Sequence, residues 1–148
     1  MRVVCQKLDG TVAIITFVDG MSDAIIARDV ASFEAQNPGS TFEHFADEAE
    51  FRASVPSNRR FRNCWTKATK GVQVDMVKAR SQRLSEIRIE RDAALAASDV
   101  ELLRAQEAGA DTKDLVKKRQ DLRDLPVKAA ADLDQLSTPA ELDAYKAL

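Results

Sequence analysis

The chain has 148 residues, 45% of them apolar, 5% aromatic and 31% charged, with a net charge of −2. The apolar content supports a packed core and excludes a disordered chain, and the near-neutral balance argues against a generally basic, polyanion-binding domain. Cys5 and Cys64 stand alone without paired spacing, so both are expected reduced, and no apolar run approaches the roughly 18 residues of a membrane span.

Residues 2–8 alternate loosely, and residues 11–18 are rich in β-branched and aromatic side chains. Asp9-Gly10 between them predicts a hairpin whose two central residues both take positive φ. Cys5 is placed in a half-buried strand. Asp19-Gly20 closes the second strand, and Ser22 reads as the N-cap of a helix over 23–36. Ile25, Ile26, Val30 and Phe33 fall at helical spacing there, and Asn37-Pro38-Gly39 stops the helix. Thr41 to Phe45 reads as a short third strand, and Asp47 to Arg52 as a helical turn ended near Pro56. A second hairpin is expected from residues 61–66 and 72–74, turned around Thr69-Lys70-Gly71. Strand alternation there puts 61, 63 and 65 on one face and 60, 62 and 64 on the other.

From Asp75 the pattern is helical for about thirty residues, with Val77, Leu84, Ile87, Leu95, Leu102 and Ala105 near one face. Glu107-Ala108-Gly109-Ala110-Asp111 is a turn signal, with Asp111 or Thr112 capping the next helix. Leu115, Leu122 and Leu125 form the inner face of that helix, and Pro126 is expected to end it. Thr138-Pro139-Ala140-Glu141 is a helix start with a capping Thr, Pro at the first position and Glu at the third. The fold class is therefore α+β: a small N-terminal β-hairpin and helix unit over 1–58, a basic β-hairpin or linker over 59–74, and a long antiparallel helical hairpin with a short C-terminal helix over 75–148.

Charge is unevenly spread, at −5 over residues 1–58, +7 over 59–91 and −4 over 92–148. Arg59, Arg60, Phe61, Arg62, Trp65, Lys67 and Lys70 form a basic segment interleaved with aromatics. Such a mixture suits nucleic acid, with phosphates neutralised and bases stacked. The competing reading turns Phe61 and Trp65 inward and leaves Arg59, Arg60 and Arg62 to solvent or to an acidic protein surface. His44, with Glu43 and Asp47 nearby, lacks a second nitrogen or sulfur ligand and reads as a surface strand histidine. Cys64 has no local base and reads as a structural thiol. The glycines are scattered turn residues, not a phosphate loop. No catalytic constellation, metal site, cofactor or small-molecule substrate is expected.

Two Arg-Asp sets stand in the helical half. The first is Arg88-Ile89-Glu90-Arg91-Asp92, followed by Asp99, and the second is Arg119-Gln120-Asp121-Leu122-Arg123-Asp124. Helices joined by a short turn lie roughly antiparallel, which brings one set near the other. Arg88 and Asp92 are spaced to pair along one helix face. Arg123 and Asp124, just before Pro126, are expected to cap the helix end and hold the hairpin closed, with direct partner binding as the other reading.

The run from Arg60-Phe61-Arg62-Asn63-Cys64-Trp65 through Val74-Asp75-Met76-Val77-Lys78-Ala79-Arg80 to Arg88-Ile89-Glu90-Arg91-Asp92 resembles small proteins of tailed-bacteriophage and prophage tail modules. Arg119-Gln120-Asp121-Leu122-Arg123-Asp124-Leu125-Pro126 is similar to the C-terminal part of phage tail-fibre assembly proteins. The resemblance spans about residues 60–140. It implies a non-enzymatic tail accessory protein, either a structural component of the tail or fibre attachment region or a tail-fibre assembly factor. The implied partners are a tail-fibre, baseplate or tail protein, or a second copy of the chain. A nucleic-acid-binding module using residues 59–70 is the alternative. The start of the chain turns polar too soon for a secretory leader, so the expected location is the host bacterial cytoplasm at synthesis, with the virion tail as a second destination.

Overall fold

Val3, Val4 and Cys5 are all fully buried in the computed structural model, which describes residues 1–18 and 20–148. They lie in β1 (Arg2–Gln6), the middle strand of an antiparallel sheet ordered β2–β1–β3, with β2 at Val12–Thr16 and β3 at Thr41–Phe45. The expectation of a half-buried strand at Cys5 fails because both faces of this sheet are covered. On one face Val3 packs with Phe17, Ile26 and Val30, the last two from α1 (Asp23–Gln36). On the other, Val4 packs with Phe45, Phe51, Trp65 and Val72. Phe51 comes from α2 (Glu48–Ala53), and the last two from the ribbon of β4 (Trp65–Lys67) and β5 (Val72–Val74). A strand buried on both sides reads as a continuous apolar run, which is why its alternation is weak.

The first turn has a different geometry from the one expected. Only Gly10 takes positive φ (80°), and no non-glycine residue does so among those described. The Gly10 N–H donates to the Lys7 carbonyl at 2.9 Å, so Leu8 and Asp9 are the central residues of the turn. The Asp9 carboxylate holds the loop by accepting the Thr11 N–H at 2.8 Å and the Thr11 hydroxyl at 2.6 Å. Asp19, expected to close the second strand, lies outside the described residues. α1 has the expected bounds, but Ile25 is exposed, and Ser22 occupies the N-cap without a side-chain bond. Phe33 meets Phe42 edge-on, with ring centroids 6.0 Å apart.

Residues 62–64 are not strand. Arg62–Cys64 form a 3₁₀ turn in which the Cys64 N–H donates to the Phe61 carbonyl at 2.9 Å. A 3₁₀ turn brings positions three apart onto one side. Phe61 and Cys64 are therefore buried together, with Trp65 beside them in sequence, and Asn63 is exposed. Strand alternation had placed Asn63 and Cys64 the other way round.

The chain divides into two compact units, Met1–Asp75 and Met76–Leu148. The second is a helical hairpin of α3 (Met76–Glu107) and α4 (Lys113–Gln135), followed by α5 (Pro139–Ala144). Pro126 does not end α4, which runs on to Gln135. A proline inside a helix costs about 3 kcal/mol. Continuing the helix buries Ala129 and Leu133 beyond Pro126, as Leu122 is buried before it, and each fully buried leucine contributes roughly 1.5–3 kcal/mol. Arg80 adds bonds to the Leu136 carbonyl just past the end of α4, from Nη2 at 2.6 Å and Nε at 3.2 Å. Thr112 takes the N-cap of α4 without a side-chain bond, and the Asp111 carboxylate accepts the Lys113 N–H at 3.0 Å instead.

The packed row of α3 is Ala79, Arg83, Ile87 and Ser98, with Leu95, Leu102 and Ala105 half-buried. Val77 is 74% exposed. It stands two residues before Ala79, about 200° around the helix, and so cannot share its face. α5 opens with a capping box. The Thr138 hydroxyl accepts the Glu141 N–H at 3.3 Å, and the Glu141 carboxylate accepts the Thr138 and Ser137 N–H groups at 2.9 and 2.8 Å.

Two outcomes test these interactions. A Cβ on Gly71 (φ +73°) would lie 2.1 Å from the Ser54 carbonyl oxygen, whereas one on Gly10 would meet nothing within 4 Å. Gly71→Ala should therefore cost roughly 2–5 kcal/mol, and Gly10→Ala only about 1–2 kcal/mol, by urea denaturation. Similar losses for both would contradict the close approach. The Ser137 and Thr138 N–H groups hold the Glu141 carboxyl below its ordinary value of 4.5. A folded value below the unfolded one stabilises the fold above the unfolded pKa, and this is lost as pH falls through the folded value. The acid side of the melting-temperature profile should flatten in Glu141→Gln, with the two proteins converging at the lowest pH.

Candidate interaction surfaces

The helical unit packs Ile87, Leu122 and Leu133 at its seam together with small residues, and arginines fill part of it. Arg83 is 4% exposed. One Nη donates to Glu90 Oε1 at 2.9 Å and Glu86 Oε2 at 3.3 Å, and the other to the Tyr145 carbonyl at 2.9 Å. The Tyr145 hydroxyl in turn donates to Asp132 Oδ2 at 2.8 Å. Burial, then this bond and the Asp132 charge, push the phenol pKa up. Leu142, three residues before Tyr145, is fully buried. The C-terminal segment is thus fastened to both long helices.

The two Arg-Asp sets meet, though through different pairs from those the spacing suggests. Arg119 reaches across the hairpin to Asp99, and Lys118 to Glu101 at 3.4 Å. Asp92 takes Arg91 at 2.7 Å, in place of Arg88 four residues before it. Arg91 and Arg119 are half-buried, in phase with the packed rows, whereas Arg88 is exposed. Burial favours the arginine whose stem covers apolar surface. Arg123 and Asp124 are exposed in mid-helix, with Asp124 accepting from Gln120 at 3.0 Å, so they cap no helix end. The Nε groups of Arg83 and Arg119 are buried without an acceptor among the described residues.

The side of α3 opposite its seam is apolar. Ile89, Ala93, Ala96, Val100 and Leu103 are all exposed, and their spacing alternates four and three residues. That is the repeat of a coiled-coil seam. Ile89 is 71%, Val100 49% and Leu103 56% exposed. The sequence carries this repeat beside the more hydrophobic leucine row of the same helix.

In the first unit, Arg59, Arg60 and Arg62 are exposed, and Phe61 and Trp65 are buried. Arg60 lies over the Phe61 ring, 5.9 Å from its centroid. The buried rings leave no face on which a base could stack. His44 is exposed on β3, with Nε2 3.8 Å from Glu34. Glu43 points to the opposite face and accepts the Gly71 N–H at 2.8 Å, and Asp47 caps α2 through the Ala49 N–H at 2.9 Å. No group of three metal-ligating side chains occurs among the described residues, and no described helix is long and apolar enough to cross a membrane.

Removing the Arg83 side chain should free the C-terminal segment. Arg83→Ala is expected to cost about 2–3 kcal/mol, since it loses charge-assisted bonds and a packed stem. Amide exchange at residues 139–148 should accelerate. Arg119→Ala, which removes a pair to a largely exposed aspartate, should cost about 0.2–1 kcal/mol. Equal effects would refute the distinction. Compared with known proteins, the chain matches no family model, no curated sequence and no solved structure.

Proposed function

We propose that the protein is a non-enzymatic tail accessory protein of a tailed bacteriophage that works by binding another protein through its helical unit. In this reading it is either a component of the tail or fibre attachment region or a tail-fibre assembly factor, made in the host cytoplasm. Its partner is a tail-fibre, baseplate or tail protein. The observation that carries the binding mode is the exposed stripe Ile89, Ala93, Ala96, Val100 and Leu103 on α3. Contiguous apolar surface that a monomer leaves uncovered marks an interaction site, and this spacing suits a partner helix. The two alanines leave room for its backbone to approach. Support for the phage setting comes from the resemblance over residues 60–140.

Co-expression with the tail proteins of a tailed phage, followed by pull-down, tests the reading. The full chain should capture one of them. Ile89→Glu with Leu103→Glu should abolish capture while leaving the melting temperature nearly unchanged, because both positions are exposed. Capture that survives in this variant would move the binding surface away from the stripe. Failure to capture any tail protein would remove the phage assignment.

A further inference from the structure

A small basic cavity lies at one end of the sheet in the first unit. It measures about 130 Å³ and is lined by Arg2, Ile14, Thr16, Phe51, Arg59, Arg62 and Trp65. The sheet register explains the first three. Arg2 pairs with Thr16, and Val4 with Ile14, so Arg2, Ile14 and Thr16 share one face. Phe51 comes from α2, and the turn before β4 brings Arg59 and Arg62 to the rim, the Arg62 N–H donating to the Arg59 carbonyl at 3.0 Å.

Two features of the cavity are unspent. Arg2 is committed: Nε lies 2.6 Å from Glu48, and the guanidinium stacks on Phe51 at 4.7 Å. Arg59 and Arg62 have no carboxylate partner among the described residues. The indole N–H of Trp65, a residue only 3% exposed, is buried and has no acceptor among them. A buried donor without an acceptor is costly, and an indole N–H can only donate. The guanidinium forks of Arg59 and Arg62 match the oxygens of an oxyanion in the cavity.

We propose that this cavity binds one phosphate dianion, free or as a simple monoester. Three arginines against Glu48 leave two positive charges, which balance a phosphate of about −1.5 to −2 better than a carboxylate. The volume is well below the roughly 300–1,000 Å³ of sites that enclose larger ligands. With Phe61 and Trp65 buried, a nucleic-acid strand would find phosphate contacts here and no stacking platform. Ile14 and Phe51 form an apolar wall that strengthens the charge-assisted bonds. The site belongs to the first unit and does not rest on the phage reading.

Trp65 is the single tryptophan, so the full chain has one indole N–H signal in a nitrogen-15 correlation spectrum. Titration with sodium phosphate should shift it saturably, and sodium chloride at equal ionic strength should not. Methyl phosphate run in parallel separates the sources: saturation by both assigns monoesters, and saturation by phosphate alone assigns the free ion. Arg59→Ala with Arg62→Ala should weaken binding at least tenfold with an unchanged melting temperature. Arg62→Lys, which keeps the charge and loses the fork, should also weaken it. A shift that grows linearly with either salt, or equal affinity in the double variant, overturns the proposal. So does an oligothymidylate that moves the signal when phosphate does not.

Discussion

The shortage of large apolar side chains governs how both units are built. Of eight aromatic residues, seven precede Asp75 and only Tyr145 follows it. The first unit can therefore form a conventional core, with Phe45 and Phe51 edge-on at 5.7 Å and Trp65 beside them, wrapped around a central strand buried on both faces. The second has to pack helices with what remains. Ala79, Ser98 and Ala129 are at most 1% exposed. Small residues at such positions let helix backbones come close, so dispersion contacts are gained without long side chains. Arginine stems fill the wider parts of the same seam.

This solution puts charge where apolar bulk would normally stand. A buried arginine is tolerated only when its donors find acceptors. Arg83 meets this at both Nη groups, which take two carboxylates on its own helix and a backbone carbonyl from the C-terminal segment, and leaves only its Nε unbonded among the described residues. Arg80 likewise bonds a backbone carbonyl at the end of α4. These bonds make the last residues of the chain part of the helical unit's core, with Leu142 fully buried and the capping box fixing the start of α5. The mid-helix proline is tolerated for the same reason. What holds α4 is the packing on either side of Pro126, not its local propensity.

Much of this was legible in the chain because periodicity and turn chemistry agree there. The helix over 23–36 and the strand over 41–45 coincide with α1 and β3, and the long helix beginning at the Asp75 boundary with α3. The misreadings have a common physical source: tertiary burial overrode a local signal. At Pro126 burial outweighed a helix breaker. At 61–64 a 3₁₀ turn replaced alternation, because it buries Phe61 and Cys64 together. On α3 the expected face holds at the fully buried Ile87 and at the half-buried Leu84, Leu95, Leu102 and Ala105 but fails at Val77, and its most buried positions also include Ala79, Arg83 and Ser98, which are small or charged. A rule that ranks residues by hydrophobicity cannot place a buried arginine. The available clue was phase: Arg83 stands four residues from both Ala79 and Ile87.

That phase difference also separates two kinds of surface on one helix. Toward α4, α3 presents small residues and arginines whose charges are matched inside the unit. On the opposite side it presents Ile89, Ala93, Ala96, Val100 and Leu103, with no matching surface among the described residues. Had burial followed hydrophobicity alone, these side chains would have been packed and the arginines exposed. The inverse arrangement is stable because the arginines gain bonds to backbone carbonyls and carboxylates that water would otherwise supply, while the apolar stripe forgoes burial. Burial of this stripe is thus a stabilisation that folding of the unit leaves unused.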